Sequence, residues 1–308
     1  MDRYARQEIF IGKNSQKKLE NSKICIVGVG ALGTLSAALL VRAGVKELVL
    51  IDRDYIELDN LQRQHLFTEK DIGKLKVEVA AKKLKEINKK VKIKTIFDNL
   101  DYKNINLIKS SIVLDCTDNF ETRFLINEYC SREKIHWIYA SAVTSKGYVM
   151  NISDVCFNCI FEKSMVKGNC ETLGVLNSIT SLISSVQVNE CIKYLTLGKF
   201  EKNLMSFDLS NNEFHKIKVK KRKDCSVCSG KYSYLSGEKG SKVINLCGRK
   251  SYVIHSKNKV SSLKKMFKGI VDYGGAFRYN EMTVFKDKVL INASSEKEAL
   301  KLFSKYLG

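Results

Sequence analysis

The stretch Ile24-Cys25-Ile26-Val27-Gly28-Val29-Gly30-Ala31-Leu32-Gly33 decides how this chain folds. Its four leading apolar residues predict a buried strand, and the run from Ala31 to Ala43 predicts a helix that begins directly after the glycines. Backbone N–H groups at such a helix start can hold phosphate oxygens. A second apolar strand, Leu48-Val49-Leu50-Ile51, ends in Asp52, about 20 residues beyond the glycines, where a Rossmann unit carries its ribose-binding carboxylate. The alternative is a tight turn whose glycines serve packing only.

The glycine motif of Gly28, Gly30 and Gly33 predicts a nucleotide site but leaves NAD and ATP both open. No G-x-x-x-x-G-K-[ST] run occurs in the sequence, so a Walker-type ATPase is excluded. Two basic residues that follow the motif, Arg63 and Lys76, suit a triphosphate better than a nicotinamide. An NAD-dependent oxidoreductase would also need a catalytic acid. No imidazole lies in a recognisable dehydrogenase motif; the histidines are His65, His136, His215 and His255.

Four further stretches carry a resemblance to a known family. They are Arg3-Tyr4-Ala5-Arg6-Gln7, Asn60-Leu61-Gln62-Arg63-Gln64, Asp71-Ile72-Gly73-Lys74-Leu75-Lys76-Val77-Glu78 and Asp115-Cys116-Thr117-Asp118-Asn119. In this order they resemble the signatures of the ThiF/MoeB/HesA family, the prokaryotic relatives of ubiquitin-activating enzymes. The resemblance covers roughly residues 1 to 230, and several separate motifs make it specific.

The resemblance implies adenylyl transfer and a role for each charged residue. Asp52 and Asn60 would bind the ribose of ATP, and Arg63 and Lys76 would bind its phosphates. Asp118 would hold Mg²⁺. The chemistry explains these residue types, because a carboxylate that attacks the α-phosphate brings two anions together and needs fixed cations and a metal.

Each charged residue also has an ordinary structural alternative. Lys76 begins an amphipathic helix, where a lone lysine is usually a solvated surface charge. Asp118 follows the apolar strand Ile112-Val113-Leu114 and precedes a helix from about Phe120, so it could be only an N-terminal helix cap. The resemblance further implies that Arg6 reaches the nucleotide of the neighbouring subunit in a homodimer.

Two C-x-x-C motifs predict a metal site. Cys156 and Cys159 form the first, Cys225 and Cys228 form the second, and about 65 residues separate the two motifs. Four thiolates saturate a tetrahedral Zn²⁺, so such a zinc would be structural. Two disulfides or four free thiols are the alternatives. The polar start of the sequence shows no signal peptide, and we therefore expect a cytoplasmic protein in which disulfides do not form.

Cys170 lies in the polar stretch Asn169-Cys170-Glu171-Thr172-Leu173-Gly174-Val175, just before an apolar helical stretch. A helix N-terminus stabilises a thiolate, so this thiol is a candidate catalytic nucleophile. The family carries a cysteine at this place, which in some members joins covalently to the carrier during sulfur transfer and in others is dispensable. The remaining cysteines fall in apolar patterns typical of small core residues: Cys25, Cys116, Cys130, Cys191 and Cys247.

The order of strands and helices predicts an α/β fold in two domains. Alternating strands and helices to about residue 140 indicate a Rossmann-like, doubly wound sheet. Antiparallel strands at Lys146 to Ile152, Leu204 to Leu209 and Glu213 to Lys220 extend it, with a helix from about Val175 to Leu197 and a zinc lobe. We assign residues 1–230 to this adenylylation domain. After a glycine- and serine-containing linker, residues 242–308 predict a small α+β domain of unknown role, with two helices on one sheet face.

Composition restricts the partners less than the motifs do. The net charge is +20, but the lysines are spread along the chain rather than gathered beside aromatic residues, which argues against nucleic acid as a partner. A basic face could instead steer an acidic ubiquitin-like protein. No apolar run reaches the roughly 20 residues that span a bilayer, so no membrane association is expected.

These observations lead to one functional hypothesis and three alternatives. The C-terminal Gly-Gly of a ubiquitin-like sulfur carrier of the ThiS or MoaD type would attack the α-phosphate of Mg·ATP, and the acyl-adenylate would then accept sulfur from a cysteine desulfurase or rhodanese. An enzyme that adenylylates threonylcarbamoyladenosine in transfer RNA is the first alternative, although such relatives generally lack paired C-x-x-C motifs. The others are the NAD-dependent oxidoreductase and an inactive zinc-stabilised scaffold. The sequence does not select the carrier or its pathway.

Overall fold

The computed structural model describes residues 3–161, 173–239, 243–246 and 251–307. The chain forms two compact units, residues 1–236 and 237–308. The described helices are α1 (Ala5–Ile11), α2 (Lys13–Leu19), α3 (Ala31–Ala43), α4 (Lys76–Ile87), α5 (Phe120–Glu133), α6 (Phe157–Phe161), α7 (Asn177–Leu197), α8 (Val260–Met266) and α9 (Glu296–Leu307). None of these described helices is long and apolar enough to cross a membrane.

The strands of the first unit form one mixed sheet in the order β3-β2-β1-β4-β5-β6-β7-β8. They are β1 (Lys23–Val27), β2 (Glu47–Asp52), β3 (Lys92–Phe97), β4 (Ile112–Asp115), β5 (His136–Val143), β6 (Lys146–Ile152), β7 (Leu204–Asp208) and β8 (Glu213–Ile217). Strands β1 to β5 pair in parallel, and β5 to β8 pair antiparallel. The predicted α/β fold with an antiparallel extension is confirmed.

The parallel strands are buried because helices cover the sheet. Strand β1 has four of its five residues buried, as expected for a strand covered on both faces. Helix α7 holds the neighbouring parallel strands β4 and β5 through Gln187, which is fully buried. The Gln187 side-chain amide donates hydrogen bonds to the carbonyls of Asp115 in β4 (2.9 Å) and Ile138 in β5 (3.0 Å).

Different predicted sites lie at the two edges of this sheet where the strands begin and end. We call the edge at which β1, β2 and β4 end the carboxyl edge; Val27, Asp52 and Asp115 lie there. Strand β6 runs antiparallel to β5, so its last residue, Ile152, pairs with Trp137 near the start of β5. The first C-x-x-C motif follows Ile152 and therefore begins from the opposite edge. Parallel sheets place ligands at the carboxyl edge, so the predicted nucleotide site and the thiols belong to different ends of the unit.

The predicted linker packs against the first unit over part of its length. Glu128 of α5 is buried, and its carboxylate accepts hydrogen bonds from the N–H groups of Tyr234 (2.8 Å) and Leu235 (2.9 Å). The Tyr234 ring also stacks on Phe124 of α5, with centroids 5.3 Å apart. The chain after the second C-x-x-C motif is thus held to α5 as far as Leu235.

The second unit is a six-stranded sheet in the order β11-β12-β13-β14-β10-β9, as far as its residues are described. Its strands are β9 (Val243–Leu246), β10 (Ser251–His255), β11 (Val271–Asp272), β12 (Phe277–Tyr279), β13 (Met282–Val284) and β14 (Lys288–Asn292). Helices α8 and α9 pack on the face that carries Phe277, Val284, Val289 and Ile254. The expectation of two helices on one face of a small sheet agrees with this arrangement.

Candidate nucleotide and metal sites

The turn between β1 and α3 requires glycine at two positions, because neighbouring backbone atoms lie too close to leave room for a Cβ atom. Gly28 has φ +91°, and a Cβ atom there would lie 2.6 Å from the Cys116 carbonyl oxygen. A Cβ on Gly33 would lie 1.9 Å from the Gly28 carbonyl oxygen. Gly30 is different, because the nearest atom to a Cβ there is Gln64 Nε2 at 3.8 Å. Gly28 and Gly33 therefore shape the turn, and Gly30 leaves space above it.

Asp52 ends β2 beside this turn, as predicted. One carboxylate oxygen of Asp52 accepts a hydrogen bond from the Val29 N–H (2.6 Å), and the other accepts from the Asp54 N–H (2.7 Å). Burial raises the pKa of Asp52, and the Lys76 ammonium and the two N–H donors oppose that increase. Asp52 thus fixes the glycine turn in the position where a ribose would meet a carboxylate.

A short two-stranded contact brings Lys76 to the carboxyl edge. Tyr55 and Leu75 form an antiparallel bridge, and the Lys76 N–H donates to the Asp54 carbonyl (3.0 Å). The Lys76 side chain is only 5% exposed, and its Nζ lies 3.1 Å from Asp54 Oδ2. Lys76 is a buried, paired cation near Asp52, so the alternative of a solvated surface lysine is wrong.

The loop that carries Asn60 and Arg63 folds back toward the glycine turn. Asn60 is buried, and its side-chain oxygen accepts from the Glu57 N–H (3.4 Å). Arg63 is half-buried, and its Nη1 donates to the Asp59 carbonyl (2.8 Å). Gln64 faces Gly30, is 4% exposed, and has a buried Oε1 that lacks a hydrogen-bond partner among the described residues.

Asp118 lies in the loop after β4, next to the glycine turn. The Cys116 carbonyl of that loop contacts Gly28, and Asp118 two residues later is exposed. The residue that caps α5 is Asn119, whose side-chain oxygen accepts from the Thr122 N–H (2.9 Å). The alternative role of Asp118 as a helix cap is therefore wrong, and its carboxylate is available at the carboxyl edge.

A buried ion pair holds the loop that carries Asp118. Asp115 is fully buried, and its Oδ2 lies 3.2 Å from Arg123 Nε of α5. The Arg123 guanidinium also donates to the Thr117 carbonyl, and its positive charge interacts with Asp118. Burial raises the pKa of Asp115, and the Arg123 charge acts against that increase.

Asp54, Gln64 and Arg123 are site residues that the sequence did not identify. All three lie inside or beside the quoted motifs. Asp54 is two residues after Asp52, Gln64 is next to Arg63, and Arg123 is five residues after Asp118. Their positions in the motifs were visible, but their burial and contacts were not.

Two further predicted catalytic residues are Arg6, which lies away from this group in its own chain, and Cys170. Arg6 lies on α1, an exposed helix held against the far end of α3 because Gln7 Nε2 donates to the Ala43 carbonyl (3.0 Å). Helix α3 is 13 residues long, or about 20 Å, so Arg6 is at the opposite end of that helix from Gly30. Cys170 lies outside the described residues.

The four C-x-x-C thiols converge as predicted. The Sγ atom of Cys156 lies 3.7 Å from that of Cys159, 3.4 Å from that of Cys225 and 3.5 Å from that of Cys228. These separations exclude disulfides, which join sulfurs at about 2.05 Å. Four sulfurs 2.3 Å from a tetrahedral zinc would be about 3.8 Å apart, so the spacing fits this ion. The Arg222 N–H also points at Cys159 Sγ (3.4 Å), as expected for a thiolate that needs a donor.

The other described cysteines behave as small core residues. Cys25, Cys116, Cys130 and Cys191 are buried free thiols. Burial raises the pKa of Cys25 to about 12, so this thiol stays protonated and unreactive. Cys247 lies outside the described residues.

Together, the parallel sheet, the glycine turn and its charged residues define an α/β nucleotide-binding protein with a tetracysteine centre. A profile described as the ThiF family matches residues 4–227, and the chain belongs to this family. The predicted resemblance is confirmed.

Named relatives agree with this assignment. The chain is 36% identical over 315 residues to the sulfur carrier protein ThiS adenylyltransferase of Bacillus subtilis, covering 98% of this chain and 92% of the relative. It is 33% identical to the protein of the same name from Escherichia coli, covering 74% of this chain and 95% of the relative. A crystal structure of E. coli MccB with succinimide matches with 25% identity and a TM-score of 0.65, covering 74% of each chain.

Proposed function

We propose that this chain is an ATP-dependent adenylyltransferase that activates the C-terminal glycine of a ubiquitin-like sulfur carrier. The observation that carries the proposal is the buried Lys76 ammonium beside Asp52 at the glycine turn, because a fixed cation there suits a polyphosphate. The relatives of this name support the same activity. They do not favour the transfer-RNA alternative.

The reaction is an in-line displacement at the α-phosphorus of ATP. A carboxylate oxygen of the carrier tail forms a bond to that phosphorus, and the bond from the α-phosphorus to the bridging oxygen of pyrophosphate breaks. The products are an acyl-adenylate and pyrophosphate. Positioning and fixed charge suffice, because the protein forms no covalent bond in this step.

Each residue contributes to binding or to charge compensation. Asp52 and Asn60 hold the ribose, and the space above Gly30 admits the phosphates. Lys76 and Arg63 offset the negative charge that meets at the α-phosphorus. Mg²⁺ bound by Asp118 would neutralise charge on the pyrophosphate when it is present.

The zinc proposal rests on the tetracysteine centre. The thiols of Cys156, Cys159, Cys225 and Cys228 would hold Zn²⁺, with every coordination position filled by sulfur. The centre begins from the edge opposite the nucleotide, so its role is to join two chain segments rather than to act on the substrate.

The remaining expectations belong to this proposal. Arg6 would act on the nucleotide of a second copy in a homodimer, which its distance from Gly30 in its own chain supports. A cysteine desulfurase or rhodanese would supply sulfur in the cytoplasm, and Cys170 would form the covalent link to the carrier. Residues 1–230 would carry out adenylylation, and residues 242–308 have no assigned part in it.

Pyrophosphate exchange tests the proposal. Labelled pyrophosphate should enter ATP only when a carrier with a C-terminal Gly-Gly is added, and Arg63→Ala and Asp118→Ala should each reduce exchange by about 100-fold or more. Arg132→Ala and Asp272→Ala are matched controls on exposed ion pairs of α5 and the second unit, and they should exchange like the wild type. Exchange with modified transfer RNA instead of a carrier would overturn the proposal.

A further inference from the structure

The buried lysine at the nucleotide site has a specific partner that the motif roles do not include. Asp54 contacts Lys76 twice, through its carbonyl, which accepts from the Lys76 N–H (3.0 Å), and through its carboxylate, 3.1 Å from Nζ. The Asp54 side chain is itself 22% exposed and is also 3.9 Å from Arg53 Nε. Asp54 therefore fixes both the backbone and the charged end of Lys76.

The position of Lys76 explains why it needs such a partner. It is the first residue of α4, and the N-terminus of a helix carries partial positive charge that repels an ammonium. Its side chain is 5% exposed, so water does little to stabilise the charge. A carboxylate at hydrogen-bond distance offsets both costs.

Asp52 interacts with the Lys76 charge but forms no ion pair with it. Each of its two oxygens accepts one hydrogen bond, from the N–H group of Val29 or of Asp54, and these bonds hold the glycine turn. Among the described residues, Asp54 supplies the one carboxylate within ion-pair distance of Lys76 Nζ. Asp52 thus holds the glycine turn, and Asp54 forms the ion pair with Lys76.

We propose that Asp54 is a positioning residue for adenylyl transfer, which holds the Lys76 ammonium where it meets the triphosphate. The inference rests on the proposed function. Asp54 acts through Lys76 and needs no contact with ATP. Loss of its charge should therefore affect the transition state, in which negative charge accumulates, more than ATP binding.

A double-mutant cycle of Asp54→Asn and Lys76→Ala tests this coupling. Asparagine keeps the size and one oxygen of Asp54 but removes its charge. We expect Asp54→Asn to lower kcat for pyrophosphate exchange about tenfold or more while KM for ATP changes less than about threefold. In the Lys76→Ala background the same substitution should change kcat by less than about twofold, because the group it positions is gone. Asp54→Glu should recover part of the activity.

Asp71→Asn is the matched control. Asp71, in the turn before α4, pairs with Lys83 of α4, so this variant also removes a carboxylate that pairs with a lysine of that helix. It should leave kcat and KM for ATP unchanged. Thermal unfolding of every variant separates lost activity from lost folding.

Three results would overturn the inference: wild-type kcat in Asp54→Asn, an equal loss in both backgrounds, or an equal loss in Asp71→Asn. Calorimetric titration with ATP alone distinguishes this failure from failure of the proposed function. If the wild type binds ATP but none of the carriers tested supports pyrophosphate exchange, the proposed function fails. If it exchanges normally and the cycle shows no coupling, the role of Asp54 fails alone.

Discussion

At the scale of single residues, Gly28 and Gly30 belong to one motif but have different surroundings. We predict that Gly28→Ala lowers the free energy of unfolding by roughly 2–4 kcal/mol, because its φ is +91° and a Cβ would meet the Cys116 carbonyl. Gly30→Ala should unfold more like the wild type but raise KM for ATP about tenfold or more, because its methyl group enters the phosphate space. Urea unfolding and exchange kinetics measure the two effects. Equal losses of stability would contradict this distinction.

Arg123 offers a second residue-scale prediction. Arg123→Met leaves the fully buried Asp115 without its cation, and we expect the free energy of unfolding to fall by about 3–5 kcal/mol. The double variant with Asp115→Leu should recover part of this loss, because no buried charge remains. Arg132→Met, on an exposed pair with Glu133, should change stability by less than about 0.5 kcal/mol. Equal effects of Arg123→Met and Arg132→Met would contradict a structural role for the buried pair.

Residue roles were predictable only in part. The motif identified Asp118 and Lys76, and the structure decided between the competing interpretations: a local contact with Thr122 makes Asn119 the cap of α5, and a tertiary contact pairs Asp54 with a buried Lys76. Burial of a lysine depends on segments that are distant in sequence, so the spacing of apolar residues in α4 could not reveal it.

At the scale of elements, the tetracysteine centre joins two segments that are distant in sequence, each with one C-x-x-C motif. We predict about one zinc per chain by elemental analysis and a large fall in Tm when a chelator removes it. Cys225→Ser should lose the metal and lower Tm, because Cys225 is buried in the centre. Cys191→Ser changes a buried cysteine outside the centre and should keep the metal. Full metal content in Cys225→Ser would contradict the assignment.

The turn before α4 should make stability depend on acid pH. Burial alone would raise the pKa of Asp71, but hydrogen bonds from Lys83 and Thr68 outweigh it and lower the pKa from 3.8 to about 2. A lowered pKa in the folded state gives stabilisation that is fully present above about pH 4 and is lost as pH falls toward 2. Asp71→Asn should flatten the stability curve between these values, measured by urea unfolding at several pH values. An unchanged slope would contradict the assignment.

Elements with strong periodicity were predictable, and others were not. The predicted helix from Ala31 to Ala43 and the strand from Lys146 to Ile152 match α3 and β6. The stretch from Ala276 to Phe285 is the hairpin of β12 and β13, because Asn280 turns the chain with φ 48°. Apolar residues continue on both sides of the turn, so their spacing does not show that the chain reverses direction there.

At the scale of the whole molecule, the division into two units predicts the behaviour of a truncated chain. The ThiF match ends at residue 227, and the E. coli relative is covered over 95% of its length by 74% of this chain. We predict that a chain of residues 1–236 keeps carrier-dependent exchange within about threefold of the full chain, because the charged residues and the glycine turn lie in the first unit. Loss of exchange by a truncated chain with an unchanged Tm would show that the second unit takes part in the reaction.

The sequence by itself determined the Rossmann-like class, the family and the four thiols that converge, and it proposed Asp52, Arg63, Lys76 and Asp118 as charged residues of the site. Each of these depends on short-range spacing, which folding does not alter. Only the tertiary structure decided that Arg6 is remote from Gly30 in its own chain, that Asp54 pairs with Lys76 and that Arg123 pairs with Asp115. Those facts depend on which distant segments pack together and which side chains lose contact with water, and a linear pattern carries neither kind of information.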